Sequence, residues 1–238
     1  MSDLSASAYV NYPQVKLVES FEALVATPFA KGVNALCWPR DLSGDFDEIV
    51  AQVGATSEIV SLDAARLRAL PLSVAGARAR TELIEDLRLL TQCELSPSLD
   101  CIPVYPRDDG AGPFPTDVYS YHVDSAPVIA DTYLCSYTVA ASEGLANADA
   151  ERWADVPSMH DVLWVEYGGS DEREFQHFLT ENYYDLHYRA KPGAKPFGFG
   201  LGNFWRIANA CPGSPVLPCI HRAPVTVSGA PPRLLLIS

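Results

Sequence analysis

The sequence predicts one α/β domain of the α+β type, in which an N-terminal layer of helices supports a strand-rich C-terminal half. Residues 1–100 contain amphipathic segments with helical spacing, whereas residues 101–238 contain short apolar or alternating runs bounded by Pro, Gly, Asp or Ser. No segment between the two halves has the length or composition of a linker. Residues 1–238 are therefore expected to form a single domain.

Two segments of the first half are predicted to be helices. Residues 45–53 begin with acidic side chains, which stabilise a helix N-terminus. Residues 77–93 have an apolar stripe on one face and charged residues on the other. That stripe consists of Leu83, Ile84, Leu87 and Leu90. Residues 36–40 (LCWPR) predict a short strand that runs into a proline turn.

The second half predicts mostly strands, with the period-two patterning of a sandwich or a barrel-like double sheet. The candidate strands are residues 101–105, 118–123, 130–139, 161–167, 203–207 and 233–237. Residues 172–188 carry aromatic side chains near helical spacing and predict a helix inserted between strands. The glycine-rich segment 191–203 is interpreted either as a mobile lid or as a surface connection.

Charge and composition exclude several classes of partner. The 238 residues include 30 acidic and 17 basic side chains, a net charge of -13 that repels nucleic-acid phosphates. No apolar stretch is long enough to cross a membrane, and the N-terminal segment lacks the features of a secretory signal. We therefore expect a cytoplasmic protein with reduced cysteines that acts on a small-molecule substrate; the composition leaves its oligomeric state open.

His122 and Asp124 are candidate metal ligands because they lie two residues apart in a predicted strand. Alternate residues of a strand point to the same face, so the imidazole and the carboxylate can meet at one point. His221, from a distant strand, would complete a set of two histidines and one carboxylate. This set is typical of non-heme iron(II) and leaves open positions for a co-substrate and oxygen. The three residues are the predicted metal ligands and catalytic residues.

Arg233 is a candidate anion-binding residue close to the same site. It opens the last apolar run after the turn formed by residues 228–232, so a hairpin return would bring its guanidinium towards the metal. A guanidinium binds a carboxylate through two parallel hydrogen bonds. Tyr133 and Tyr137 share one face of a predicted strand and could bond the same carboxylate, although core packing explains them equally well.

These motifs resemble the double-stranded β-helix superfamily of iron(II)- and 2-oxoglutarate-dependent oxygenases. Members carry an HxD motif, a distal histidine and a basic residue shortly after it, which match His122-Val123-Asp124, His221 and Arg233. More narrowly, the stretches YHVDSAPV, YLCSYTV and IHRAP resemble a family of small microbial members. The matching stretches cover about residues 118–139 and 219–238.

The resemblance implies a jelly-roll core that binds Fe(II), 2-oxoglutarate and O2, with Arg233 holding 2-oxoglutarate. It also implies decarboxylation of 2-oxoglutarate to succinate, coupled to hydroxylation, desaturation or ring closure of a small metabolite of microbial secondary metabolism. A free amino acid is the substrate that we expect. Its carboxylate would then be held by Arg40, Arg206 or Arg222, with Trp205 as an apolar wall, although each of these residues also fits packing or a surface charge.

Alternative interpretations remain open at this point. His160, His177 and His187 are less favoured as ligands, and the last two fall on different faces of the predicted helix. Each of the three could instead contact the substrate, and a cupin-like metal site could use one of them. A cupin-like metal dioxygenase would keep the metal but not 2-oxoglutarate, with Arg233 in a salt bridge. A non-catalytic β-sandwich binding module would need neither the metal nor 2-oxoglutarate.

Overall fold

The computed structural model describes residues 9–108, 110, 112–226 and 229–238, which form two β-sheets and six α-helices. Residues 1–8, which belong to the segment predicted not to be a secretory signal, and Ser228, at the start of a predicted turn, lie outside the described residues. Within the described ranges, no helix has both the length and the apolar character needed to cross a membrane.

The secondary-structure elements alternate along most of the chain. The strands are β1 (Val15–Leu17), β2 (Ala35–Trp38), β3 (Val60–Leu62), β4 (Ser98–Ile102), β5 (Tyr121–His122), β6 (Asp131–Ser136), β7 (Glu143–Leu145), β8 (Ala150–Arg152), β9 (His187–Ala190), β10 (Phe197–Gly198), β11 (Phe204–Ala208), β12 (Ile220–Arg222) and β13 (Arg233–Ile237). The helices are α1 (Phe21–Ala26), α2 (Phe46–Val53), α3 (Ala64–Ala69), α4 (Val74–Gln92), α5 (Pro157–Tyr167) and α6 (Glu172–Glu181).

The strands form a sheet of seven strands, sheet A, and a sheet of six strands, sheet B. The order in sheet A is β1-β2-β11-β6-β13-β4-β3, and the order in sheet B is β10-β7-β12-β5-β9-β8. Only β1 and β2 pair in parallel; the other ladders among the described strands are antiparallel. The predicted mixed α/β fold is confirmed, and the first hundred residues also supply four strands of sheet A.

The helical layer packs on the outer face of sheet A. In α4 the side chain of Ser73 accepts a hydrogen bond from the Gly76 amide and caps the N-terminus. Leu83 and Leu90 of this helix are fully buried in the same core as Leu234 of β13. The apolar stripe predicted for residues 77–93 therefore faces the sheet, as amphipathic spacing requires.

A second core fills the space between the sheets. Its buried members include Leu134, Phe197, Phe199, Trp205 and Leu235. Successive residues of one strand point to opposite faces, so Leu134 and Leu235 lie in this inner core while their neighbours Cys135 and Leu234 face the helices. The inner faces of both sheets are thus the walls of one interior.

Residues 161–167, predicted to be a strand, belong to helix α5. Pro157 lies in the first turn, where its missing N–H is no loss, and Gly168 ends the helix in a left-handed conformation at φ 68°. The apolar spacing suggested a half-buried strand, yet Val162 and Val165 are exposed and Leu163 is the buried contact. The strand prediction was wrong because these two flanking signals were overlooked.

The helix predicted over residues 172–188 is shorter than expected. Helix α6 ends at Glu181, Tyr183 adopts a left-handed φ of 60°, and the chain then turns into strand β9 at His187. The glycine-rich segment 191–203 is not a lid, because Phe197 and Phe199 within it are buried between the sheets.

Gly144 of β7 is required by close packing at the site end of sheet B. A Cβ atom added there would lie 2.2 Å from Cζ of Phe197, which is itself buried. We expect Gly144→Ala to lower the free energy of unfolding by about 1–3 kcal/mol, the usual cost of overpacking. Urea denaturation checks this, with Gly198→Ala of the neighbouring strand β10 as the control, since no atom lies within 4 Å of a Cβ there. Equal stability of Gly144→Ala and wild type would contradict this packing.

Candidate metal centre

Three histidines lie side by side on neighbouring strands of sheet B. Strand β5 pairs with β12 at His122 and His221, and with β9 at His122 and His187. The ring centres of His122 and His221 are 4.6 Å apart, and those of His122 and His187 are 5.8 Å apart. The His221 ring lies 6.4 Å from the ring of Phe199 in the inner core, so this row of histidines faces the space between the sheets.

The backbone sets the tautomers of His122 and His221. Nδ1 of His122 lies 2.9 Å from the Ser120 carbonyl oxygen, and Nδ1 of His221 lies 3.2 Å from the Cys219 carbonyl oxygen. A carbonyl oxygen only accepts hydrogen bonds, so each Nδ1 carries the proton and donates it. When such a ring is neutral, its Nε2 atom has a free lone pair. This outer hydrogen bond is typical of metal-binding histidines.

The carboxylate of Asp124 is held in place by its surroundings. Its Oδ2 accepts a hydrogen bond of 2.6 Å from the Thr132 hydroxyl, and its backbone oxygen accepts one of 2.7 Å from the Ala210 amide. Oδ1 lies 4.0 Å from Nε2 of His122 and 3.8 Å from Nε2 of His221. These two separations are too long for hydrogen bonds.

The surroundings lower the pKa values of His122 and Asp124. Burial and the neighbouring His221 ring lower the pKa of His122 to about 4, so that ring is neutral at neutral pH. Burial raises the pKa of Asp124, but His221 and the Thr132 hydrogen bond lower it more, and the net pKa lies below the usual value. The three residues can hold a metal ion, since one ligand atom from each lies within 4.8 Å of the others.

Arg233 is buried on the inner face of sheet A without a carboxylate partner among the described residues. Its Nη2 donates to the hydroxyls of Ser136 and Ser142 at 2.7 and 2.8 Å, and its Nη1 lies 3.3 Å from the Tyr105 hydroxyl. Nε is buried and has no partner in the described part of the chain. Burial lowers the pKa of Arg233, because a buried cation with neutral partners is costly. An anion beside it would offset this cost.

A recess of about 200 Å³ opens next to the proposed ligands. His122, Asp124 and His187 line it, together with Asp117 and Tyr183. Asp117 lies in the loop before β5, and Tyr183 lies in the segment that follows α6. The insertion between β7 and β10 therefore forms one wall of the recess.

Tyr133, Tyr137 and Arg40 were predicted to contact co-substrate or substrate, and the structure places all three in the helical layer. Tyr133 and Tyr137 belong to the core between sheet A and the helices, on the face of β6 opposite Ser136 and Arg233. The Tyr137 hydroxyl donates to Asp86 at 2.6 Å, and Arg40 forms a buried ion pair with the same carboxylate at 2.6 Å. Their roles are structural.

Three more residues predicted to bind substrate do not line the recess. Arg206 pairs with Asp131 at 2.6 Å and donates to carbonyl oxygens at the end of α1. Arg222 pairs with Glu143 and lies over the Tyr121 ring, on the face of sheet B opposite His221. Trp205 is buried between the sheets and stacks on Phe199 with ring centres 4.4 Å apart.

The remaining histidines differ in their positions. His160 packs against Trp164 and Phe175 in the insertion, and His177 is exposed on α6. His187 instead lies beside His122 in the row of histidines. This position was not predicted, because residues 172–188 were expected to form a helix. The break after Glu181 and the alternation from His187 to Ala190 were the signals for its strand.

The site therefore consists of three converging acceptor atoms, a buried guanidinium between the sheets and a recess beside them. All six cysteines have free thiols. The functional assignment depends on these atoms, because no protein-family model, curated protein or solved structure matches the chain.

Proposed function

We propose that the chain is an iron(II)- and 2-oxoglutarate-dependent oxygenase with a double-stranded β-helix core. One observation carries the proposal: Nε2 of His122, Nε2 of His221 and Oδ1 of Asp124 converge, while the Nδ1 protons of both rings are directed away to backbone carbonyl oxygens. Two imidazole nitrogens and one carboxylate oxygen gathered in this way offer a ligand set for a cation. Thr132, which occupies the other carboxylate oxygen, leaves Oδ1 directed at this point.

Iron(II) fits these ligands better than structural zinc does. Two imidazoles and one carboxylate form the facial set that non-heme iron enzymes use, with open positions for reactants. Structural zinc sites are closed by four ligands, often thiolates. No cysteine belongs to the group of possible ligands found among the described residues, and the hydrogen bond between His221 and Cys219 goes to the backbone carbonyl oxygen.

The strand order supports the proposed core. Eight strands, β4 to β7 and β10 to β13, are divided equally between the sheets. In chain order they lie in sheets A, B, A, B, B, A, B and A, which is the alternation of two interlocked Greek keys in a jelly roll. Strands β8 and β9 with α5 and α6 are then an insertion within the second half of this core.

Arg233 is the proposed partner of the distal carboxylate of 2-oxoglutarate. Its guanidinium lies on the inner face of sheet A, and its hydrogen-bond partner Ser142 is two residues from Gly144, which opposes His221. The neutral partners Ser136, Ser142 and Tyr105 leave the positive charge uncompensated. A carboxylate would form charge-assisted hydrogen bonds there.

We expect Arg233→Met to weaken 2-oxoglutarate binding about 10- to 100-fold, the value of a charge-assisted hydrogen bond, while iron(II) binding stays unchanged. Methionine fills the buried space without a charge, so the fold should persist. Anaerobic calorimetric titration measures iron(II) binding on the metal-free protein and 2-oxoglutarate binding on the iron-loaded protein. Arg222→Met is the matched control, because Arg222 pairs with Glu143 on the other face of sheet B. Unchanged 2-oxoglutarate affinity in Arg233→Met would exclude this role.

Each residue of the site has one task in the proposed reaction. Bound iron(II) would supply the oxidising chemistry that couples decarboxylation of 2-oxoglutarate to substrate oxidation. His122, Asp124 and His221 hold the ion, and the carbonyl oxygens of Ser120 and Cys219 fix the ring orientations. Phe199 and its aromatic neighbours exclude water from the side of the inner core.

Anaerobic titration with iron(II) and then 2-oxoglutarate tests the proposal. We expect one equivalent of iron and a weak visible charge-transfer band that saturates at one equivalent of 2-oxoglutarate. Iron binding without the band would favour the cupin-like dioxygenase, and no iron binding would favour a non-catalytic binding module. In a control variant, His177→Ala, we expect the same titration as in wild type, because His177 is exposed on α6.

A further inference from the structure

The hydrogen bonds of Ser120 determine the tautomer of His187. The Ser120 hydroxyl lies 2.8 Å from the Asp117 carbonyl oxygen and 2.8 Å from Nδ1 of His187. A hydroxyl has one hydrogen, and a carbonyl oxygen can only accept, so the Ser120 hydrogen goes to Asp117. Nδ1 of His187 must therefore carry a proton and donate it to the Ser120 oxygen. In the neutral ring, Nε2 of His187 is left as a lone pair.

This lone pair belongs to a side chain of the recess beside the proposed metal ligands. His187 is 5% exposed and lines the recess together with His122 and Asp124. Its Nε2 has no hydrogen-bond partner within the described ranges. It lies outside the group of ligand atoms within 4.8 Å of one another, and its ring is farther from His122 than the His221 ring is. His187 is thus adjacent to the proposed metal site and separate from it.

The charges around His187 favour a cation over an anion. Burial lowers the pKa of His187, against an opposing effect of Asp117, Asp108 and Asp185. Asp117 lines the recess with Asp124, whereas no Lys or Arg is among its described lining residues. One buried oxygen of Asp185 has no partner in the described part of the chain. A carboxylate placed in this recess would face the carboxylates of Asp117 and Asp124, with Arg107 4.0 Å from Asp117 as the nearby cation.

We propose that the recess binds a substrate carrying a protonated amine, which donates a hydrogen bond to Nε2 of His187. The inference rests on the proposed oxygenase function and specifies its substrate class. His187 is a positioning residue: it places the substrate beside the metal and takes no part in metal binding. The expected recognition of a substrate carboxylate by Arg40, Arg206 or Arg222 is replaced, because each of these guanidiniums is paired elsewhere.

The tautomer can be observed in the full-length, metal-free chain by nitrogen-15 NMR of its five histidines. We expect His187 to show a protonated Nδ1 and a bare Nε2, assigned by comparison with His187→Gln. Titration with propylamine should shift the Nε2 resonance saturably, and propionate, of the same chain length and opposite charge, should not. A protonated Nε2, or no shift with propylamine, would overturn the proposal. An equal shift with propionate would overturn the substrate class.

Two variants separate positioning from folding. His187→Leu should raise the dissociation constant of propylamine, measured calorimetrically, about tenfold, because a hydrogen bond to a charged group is lost. His187→Gln, whose side-chain oxygen can accept in place of Nε2, should restore most of the affinity. Equal affinity in wild type and His187→Leu would overturn the proposal.

The iron(II) titration separates a failure of this inference from a failure of the proposed oxygenase function. Iron binding should be the same in wild type, His187→Leu and His187→Gln. If iron binding fails in all three but the amine result holds, the oxygenase proposal fails and the amine site stands. If iron binds and the amine result fails, only this inference is lost.

Discussion

Replacing His221 by alanine is expected to abolish stoichiometric iron(II) binding. Loss of an outer hydrogen-bond partner already costs metal sites about 10- to 100-fold in affinity, so loss of a ligand should cost more. His221 supplies one of the three converging ligand atoms, and its ring lies beside Phe199 of the inner core. The expected loss of affinity therefore exceeds about 100-fold. Anaerobic equilibrium dialysis followed by iron analysis measures it.

The control for this loss is the stability of the variant. His221 is buried beside Phe199, so alanine leaves a small cavity as well as removing a ligand. His221→Gln fills most of that space, and we expect it to bind iron far more weakly than wild type despite a normal unfolding transition. Full iron binding by His221→Ala would show that these three residues do not form the site.

Replacing Asp86 by alanine is expected to cost about 3–5 kcal/mol of unfolding free energy, the effect of breaking a buried ion pair. Arg40 forms two hydrogen bonds with Asp86, at 2.6 and 2.8 Å, and Tyr137 donates a third at 2.6 Å. The side chains of Arg40 and Asp86 are only 6% and 2% exposed. Alanine would leave a buried cation and a buried hydroxyl without partners. Urea denaturation of the metal-free protein measures the change.

Glu85, the preceding residue of α4, provides the matched control. It pairs with Arg88 on the exposed face of the helix, where an ion pair contributes less than about 1 kcal/mol. Glu85→Ala should therefore unfold nearly as wild type does. A comparable loss in both variants would mean that the Asp86 pair is not the anchor between α4 and sheet A.

Spacing along the chain was enough to predict that His122, Asp124 and His221 lie together, and it predicted part of the fold. His122 and Asp124 converge because alternate residues share a face, and β13 begins at Arg233 as predicted. Helix α4 follows its apolar stripe, because local amphipathic periodicity encodes which face is buried. That these residues bind iron and 2-oxoglutarate remains a prediction.

The errors concern information that lies outside local spacing. Tyr137 and Arg40 were assigned to the site because the sequence does not show that Asp86, on a distant helix, neutralises the arginine in the helical layer. Which face of β6 meets the helices depends on register across sheet A. His187 was separated from His122 by a helix prediction that ignored the turn at Tyr183.

The most direct test of the central claim is anomalous diffraction at the iron absorption edge from crystals grown anaerobically with iron(II). We predict one strong peak at bonding distance from Nε2 of His122, Nε2 of His221 and Oδ1 of Asp124, with Nε2 of His187 outside bonding distance. A peak at other residues, or no peak at these three atoms in crystals that contain iron, would contradict the claim.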